Sequence, residues 1–192
     1  MKINSDINVL GGLSDWNLVS IFLEKDIKVA CLNSNLCAVT AIKTDKSVRR
    51  YEHAIKNTLL RFNSKDLDAL FRQLISSKGL DADLLIFLFW NTAINHPLFH
   101  YLNEKVFFPA FYNGRISIKH DEVVACIREL SKSESVLQRW SESSVTTTAS
   151  KYLTLLKKFG LMEGAFFKTI RHPYLSDDWN DSPAYIYVHQ II

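Results

Sequence analysis

Trp140-Ser141-Glu142-Ser143-Ser144-Val145-Thr146-Thr147-Thr148-Ala149-Ser150-Lys151-Tyr152-Leu153-Thr154-Leu155-Leu156-Lys157-Lys158-Phe159-Gly160 is the most regular stretch of this chain. Val145, Ala149, Tyr152, Leu153, Leu156 and Phe159 recur every three or four positions, which predicts one long amphipathic helix. Ser141 or Ser143 is suited to cap its start, and Gly160 to end it. Just before it, Val136 to Trp140 reads as a short helix. After Gly164, Ala165 to Arg171 reads as a strand, His172 to Pro183 as a polar loop, and Ala184 to Gln190 as a second strand with period-two alternation. Helix, helix, hairpin is the order of a winged helix.

Working outward, helical spacing continues toward the N-terminus, with four Pro and six Gly in 192 residues to interrupt it. A first helix is expected after Ser14, with Asp15 in its first turn and Trp16, Val19, Ile21, Phe22 and Leu23 inward. The segment Ile27 to Ile42 is broken by Asn33-Ser34-Asn35 and reads as two short pieces. Thr44 or Asp45 can cap a third helix whose stripe is Val48, Tyr51, Ile55, Leu59 and Phe62. Ser64 caps a fourth, with Leu67, Leu70, Phe71, Leu74 and Ile75 inside. Leu84 to Ile94 is apolar nearly all round, which marks the central buried helix. Pro97 opens the next helix, and His120 to Ser131 presents Val123, Val124, Ile127 and Leu130. The expected fold is mainly α. A helix-turn-helix-like segment spans 1–63, a helical bundle core 64–135, and a winged helix with a two-stranded hairpin 136–192.

A hydrophobic content of 47% is enough for a real core, and a charged fraction of 22% excludes a disordered chain. Charge is unevenly spread. Residues 1–62 carry nine Lys/Arg against six Asp/Glu, residues 63–135 eight against nine, and residues 138–171 six against two. Basic ends around a neutral middle suit contact with a polyanion at both ends, although small counts also allow chance scatter. Leu84 to Trp90 is far shorter than the roughly 20 apolar residues of a membrane span, so no membrane partner is expected. Cys31, Cys37 and Cys126 have no zinc spacing and read as reduced core thiols of a cytoplasmic protein.

Two cationic faces are candidate DNA contacts. Around the long helix, Ser144, Thr146, Thr147 and Thr148 cluster at a start whose backbone N–H groups attract phosphate. Lys151 follows one turn later, Lys158 lies at the far end, and Lys168 and Arg171 lie on the hairpin. The alternative is an ordinary capped helix with a polar outer face. The second face is Lys46, Ser47, Arg49, Arg50 and Lys56, with Arg61 beyond. The alternative there is a solvated face with ion pairs such as Arg49 to Asp45 or Glu52.

His96, His100 and Glu104 stand four residues apart and are the nearest thing to a metal site, against a reading of His96 as a capping or surface residue. Asp177, Asp178 and Asp181 cluster in the loop before the last strand, as a cation site or simply solvated. Gly11-Gly12 lacks the spacing and Lys of a phosphate loop, and no Gly-x-Ser-x-Gly occurs. No catalytic centre, metal or cofactor is expected.

The stretch Trp140 to Tyr152, followed by Leu155-Leu156-Lys157-Lys158-Phe159-Gly160-Leu161-Met162-Glu163-Gly164, resembles the C-terminal signature of the BrxA family of BREX phage-exclusion loci. Gly11-Gly12-Leu13 ahead of the first helix and Ser47-Val48-Arg49-Arg50 opening the third are similar in layout. The resemblance implies a non-enzymatic double-stranded DNA-binding protein with helix-turn-helix or winged-helix modules at its ends and a NusB-like core. It also implies work alongside a methyltransferase, an ATPase and a phosphatase-like subunit in phage defence. The competing reading is an adaptor that docks other BREX subunits through the winged helix, using Tyr185 and Tyr187 of the hairpin. RNA binding fits less well, because the middle segment is not basic and offers no stacking platform.

Overall fold

The computed structural model describes residues 3–13, 16–24, 42, 44–165 and 168–173. It is mainly helical, with one small antiparallel sheet. The helices, in chain order, are α1 (Asp6–Leu10), α2 (Asn17–Glu24), α3 (Asp45–Ala54), α4 (Lys65–Lys78), α5 (Ala82–Asn95), α6 (Pro97–Leu102), α7 (Phe108–Tyr112), α8 (His120–Ser131), α9 (Ser135–Gln138) and α10 (Glu142–Lys158). Ser14, Asp15, most of 27–42 and the strand expected at 184–190 lie outside the described residues.

Side-chain caps open the helices where short polar residues precede apolar runs. Thr44, Ser64, Asp81 and Ser141 each accept the backbone N–H three residues on, from Ser47, Leu67, Leu84 and Ser144. Of the two candidates for α10, Ser141 is therefore the cap. Gly160 ends that helix with φ of 76°, a conformation that glycine adopts without a Cβ penalty. Helix α1 did not stand out as a helix in the sequence, because five residues carry too little periodicity.

α5 forms the centre, with Leu84, Ile86, Phe87, Leu88, Phe89 and Ala93 buried. Phe89 meets the rings of Phe99, Phe107 and Phe159 at centroid separations of 5.7, 6.0 and 5.8 Å, all edge-on. Each such fully buried side chain contributes about 1.5–3 kcal/mol of transfer free energy. Buried residues from all three sequence segments join one hydrophobic cluster.

Two helices widen where periodicity predicted plain α-helix. α3 runs into a π-helical turn, Ile55–Leu59, where the Leu60 N–H reaches back to the Ile55 carbonyl at 3.0 Å. α6 and α7 are joined by a second, Asn103–Phe107. Polar residues of α5 hold the first: Asn91 Nδ2 donates to the Leu59 carbonyl (2.7 Å), and Asn95 Nδ2 to those of Thr58 (3.0 Å) and Arg61 (2.8 Å). A wide turn leaves carbonyls poorly paired, and these amides satisfy them.

The sheet pairs β1 (Met162–Glu163) with β2 (Thr169–Ile170), Met162 opposite Ile170 and Glu163 opposite Thr169. On the other side of β2, Ser117 bridges Thr169 and the Ile170 N–H donates to the Ile116 carbonyl at 2.8 Å. The strand expected over 165–171 is thus realised at 169–170. It pairs with 162–163, a segment too short to show alternation.

Candidate nucleic-acid interface

α10 is fixed from behind. Val145, Thr148, Ala149, Tyr152, Leu153, Leu155 and Leu156 are buried. The Tyr152 hydroxyl donates to Asn103 Oδ1 at 2.8 Å, and full burial pushes its pKa well up. The N-terminal segment packs along the same helix. Trp16 Nε1 donates to the Lys158 carbonyl at 3.0 Å, and its ring lies 5.3 Å from that of Phe159. Gly11 approaches so closely that a Cβ there would meet the Lys151 carbonyl oxygen at 2.6 Å. His120 Nε2 lies 3.1 Å from the Thr146 carbonyl, tying α8 to the first turns of α10.

The hydroxyl cluster at the α10 start is organised differently from the phosphate-attracting turn expected. Thr146 and Thr148 donate to the carbonyls of Glu142 (2.9 Å) and Ser144 (2.8 Å). Such i−4 bonds use the hydroxyl proton inside the helix and leave only acceptor lone pairs outward. Thr148 is moreover wholly buried, so it has no surface to offer and leaves the candidate set. The Ser144 hydroxyl lies 2.9 Å from that of Ser141 in the cap. Thr147 stays exposed with a free hydroxyl. The first turn already holds an anion, the carboxylate of Glu142, paired with Arg128. It takes the place that a phosphate would have next to the helix dipole.

The cations of the second half are the stronger feature. Lys158, expected on the DNA face, folds back to donate to the Leu13 carbonyl and is half-buried, so it too leaves the set. Lys157 points out in its stead. Its amine donates to the Gly164 carbonyl at 2.8 Å, at the hairpin turn. Lys168, half-buried just before β2, reaches back across α10 to Thr154 Oγ1 at 3.4 Å. Its amine is held below its ordinary pKa by burial first, then by Lys157 and Lys151. Arg171 is exposed just beyond. No local pattern separates Lys157 from Lys158, because the group that captures Lys158 lies 145 residues away.

On α3, Lys46, Arg49 and Arg50 are exposed and take part in none of the ion pairs found among the described residues. The suggested partner Glu52 instead meets Lys56 at 2.9 Å, so Lys56 is engaged in a surface pair. Ser47 accepts the Thr44 hydroxyl at 2.9 Å and belongs to the cap, although it is only half-buried. Arg61 is exposed.

His96 is a capping residue: its Nδ1 accepts the Phe99 N–H at 3.2 Å, and burial lowers its pKa to about 4. Glu104 pairs with Lys105 at 2.6 Å. Among the described residues no three His, Cys, Asp or Glu side chains gather as a metal site, and no helix is long and apolar enough to cross a membrane. Cys126 is half-buried, and burial raises its thiol pKa. Cys31, Cys37 and the Asp177–Asp181 cluster lie outside the described residues.

Fold and surface together define a mainly helical protein whose small antiparallel sheet, with Lys168 just before its second strand, lies against one long helix. The chain belongs to the BrxA family, whose model matches residues 18–182. Membership associates it with BREX phage-exclusion systems. No curated protein matches it.

Proposed function

We propose that this protein is a non-catalytic, cytoplasmic double-stranded DNA-binding component of its BREX system, working beside the methyltransferase, ATPase and phosphatase-like subunits. The observation that carries this reading is the convergence of Lys151 and Lys157 of α10 with Lys168 from beside the sheet, none of them engaged by a carboxylate among the described residues, with Arg171 exposed nearby. The antiparallel succession of 116–117, β2 and β1 beside α8 and α10 supports a winged helix. In that reading α10 offers Thr147, Ser150 and Lys151 to a groove, and the hairpin lies along the backbone. The exposed Lys46, Arg49 and Arg50 supply a second contact.

Fluorescence polarisation of a labelled duplex at two salt concentrations tests this. Affinity should fall steeply as salt rises. Absence of any shift at low salt overturns the reading.

The adaptor reading draws on a different surface from the one first suggested, since Tyr185 and Tyr187 lie outside the described residues. Tyr112 and Ile116 are 77% and 78% exposed, next to a groove lined by Trp90, Tyr101 and Phe108. Co-purification of another BREX subunit that survives nuclease and high salt, and is lost with Tyr112→Ser, would favour it.

A further inference from the structure

We propose that Lys151, Lys157 and Lys168 form a discrete site for one phosphate group on the outer stripe of α10. The proposal rests on the DNA-binding reading and deepens it, by naming where the helix and hairpin jointly grip a single phosphodiester.

The geometry is built from two elements. Lys151, Thr154 and Lys157 follow one another at three-residue steps along α10, so the two lysines start about 9 Å apart along the axis and about a third of a turn apart around it. Lys168 crosses from the position just before β2 and sets its amine against Thr154, midway between them in sequence. Thr154 cannot be the donor to an anion, because its own proton goes to the Ser150 carbonyl at 2.8 Å. It serves as a rest for the Lys168 amine. Lys157 is likewise steadied from one side, by the Gly164 carbonyl. Each of these two ammonium groups has three N–H bonds, one committed to the protein and two left. They are oriented before any ligand arrives, which lowers the ordering cost of binding.

Electrostatics points the same way. Lysines along a single exposed helix spread apart and stay solvated. Here two of three, Lys151 and Lys168, are half-buried, and Lys168 faces two cations with no carboxylate contributing to its environment. Holding like charges together costs free energy in the unliganded protein. A bound dianion or phosphodiester removes that cost, so its binding is favoured beyond the three contacts taken singly. The remaining nearby acid, Glu163 on β1, is exposed and stands opposite Thr169.

The test uses the full chain in two arms. In the first, duplex binding is measured at two salt concentrations for the wild type, Lys168→Met and Lys168→Arg. Methionine retains the buried stem, so folding should survive. Removing one phosphate contact should weaken binding about eightfold at 0.1 M salt and reduce the log–log salt slope by about 0.9. Arginine should restore both. Tight duplex binding that Lys168→Met leaves unchanged overturns the site while the DNA reading stands.

In the second arm, inorganic phosphate is titrated while the lysine side-chain resonances are followed by NMR. Saturable shifts at Lys151, Lys157 and Lys168, but not at Lys46, are expected. If the wild type binds no duplex yet these shifts occur, the DNA reading fails and the site stands as one for a small phosphate group. If the shifts are absent or shared by Lys46, the site is overturned.

Discussion

The two cationic faces differ in how their charges are held. On α3, Lys46, Arg49 and Arg50 sit exposed on one helix, the arginines adjacent and Lys46 one turn before them. On the other face, Lys168, just before β2, is pressed half-buried against α10, between Lys151 and Lys157. The first arrangement is cheap to build and gains little beyond counterion release on meeting a polyanion. The second stores repulsion that only an anion relieves. Equal formal charge therefore does not mean equal affinity.

The largest expected effect tests that difference directly. Neutralising Lys151, Lys157 and Lys168 together should lower duplex affinity by more than the roughly eightfold of Lys168→Met at 0.1 M salt, because all three cations grip one phosphate. Neutralising Lys46, Arg49 and Arg50 should cost less, without regard to DNA sequence. Polarisation titrations of both triple variants decide it, and equal losses would break the comparison.

Acid should act next. His96 is buried and neutral, with a folded pKa of about 4 against an ordinary 6.5. The unfolded chain takes up a proton as pH falls below 6.5, whereas the folded protein does so only near 4. Stability is therefore full above about pH 6.5 and declines by about 3 kcal/mol by pH 4. Urea midpoints across this range should show the decline, and His96→Asn, which retains a capping side chain, should flatten it. His96 adjoins Asn95, whose amide clamps the end of α3. Hydrogen exchange should therefore quicken in α3 before α10.

A smaller effect tests the link between the faces. α1 packs against both helices: Gly11 lies on Lys151, and the Tyr51 hydroxyl donates to the Gly12 carbonyl at 3.3 Å. Gly11→Ala presses a methyl group onto backbone that cannot swing away, and should cost about 1–3 kcal/mol in thermal unfolding. Its effect on duplex binding should come through the α10 set, leaving the α3 contribution intact.

The smallest effect separates neighbours. Thr147→Val should weaken duplex binding by about fivefold or less, the worth of one hydrogen bond. Thr148→Val should leave it unchanged, since that hydroxyl is already spent on Ser144. A larger loss at Thr148 than at Thr147 would overturn the assignment of Thr147 as the hydroxyl that faces the duplex.

Much of the helical layout was legible in the sequence, because caps and apolar stripes are local. Ser64, Pro97 and Gly160 mark boundaries that the structure keeps, whereas the central helix, expected from Leu84, opens at Ala82 behind an Asp81 cap. The π-helical turns were not legible. They depend on Asn91 and Asn95 reaching carbonyls more than thirty residues away. The candidate site was legible in composition but not in orientation. Whether Lys157 or Lys158 faces outward depends on Leu13. Thr148 could have been set apart, because it lies three residues after Val145 and four before Tyr152 on the apolar stripe, where Thr147 does not.

The wide turn at Ile55–Leu59 has a consequence for the Arg49–Arg50 pair that lies upstream of it. Each residue of a regular helix advances the azimuth by about 100°. Removing one residue from that turn would restore an ordinary helix with every side chain still suited to it, yet would swing the arginines more than a quarter of a revolution about the axis. The direction in which this surface faces is set by counting, and a length change of one would redirect it more thoroughly than any substitution on the surface itself.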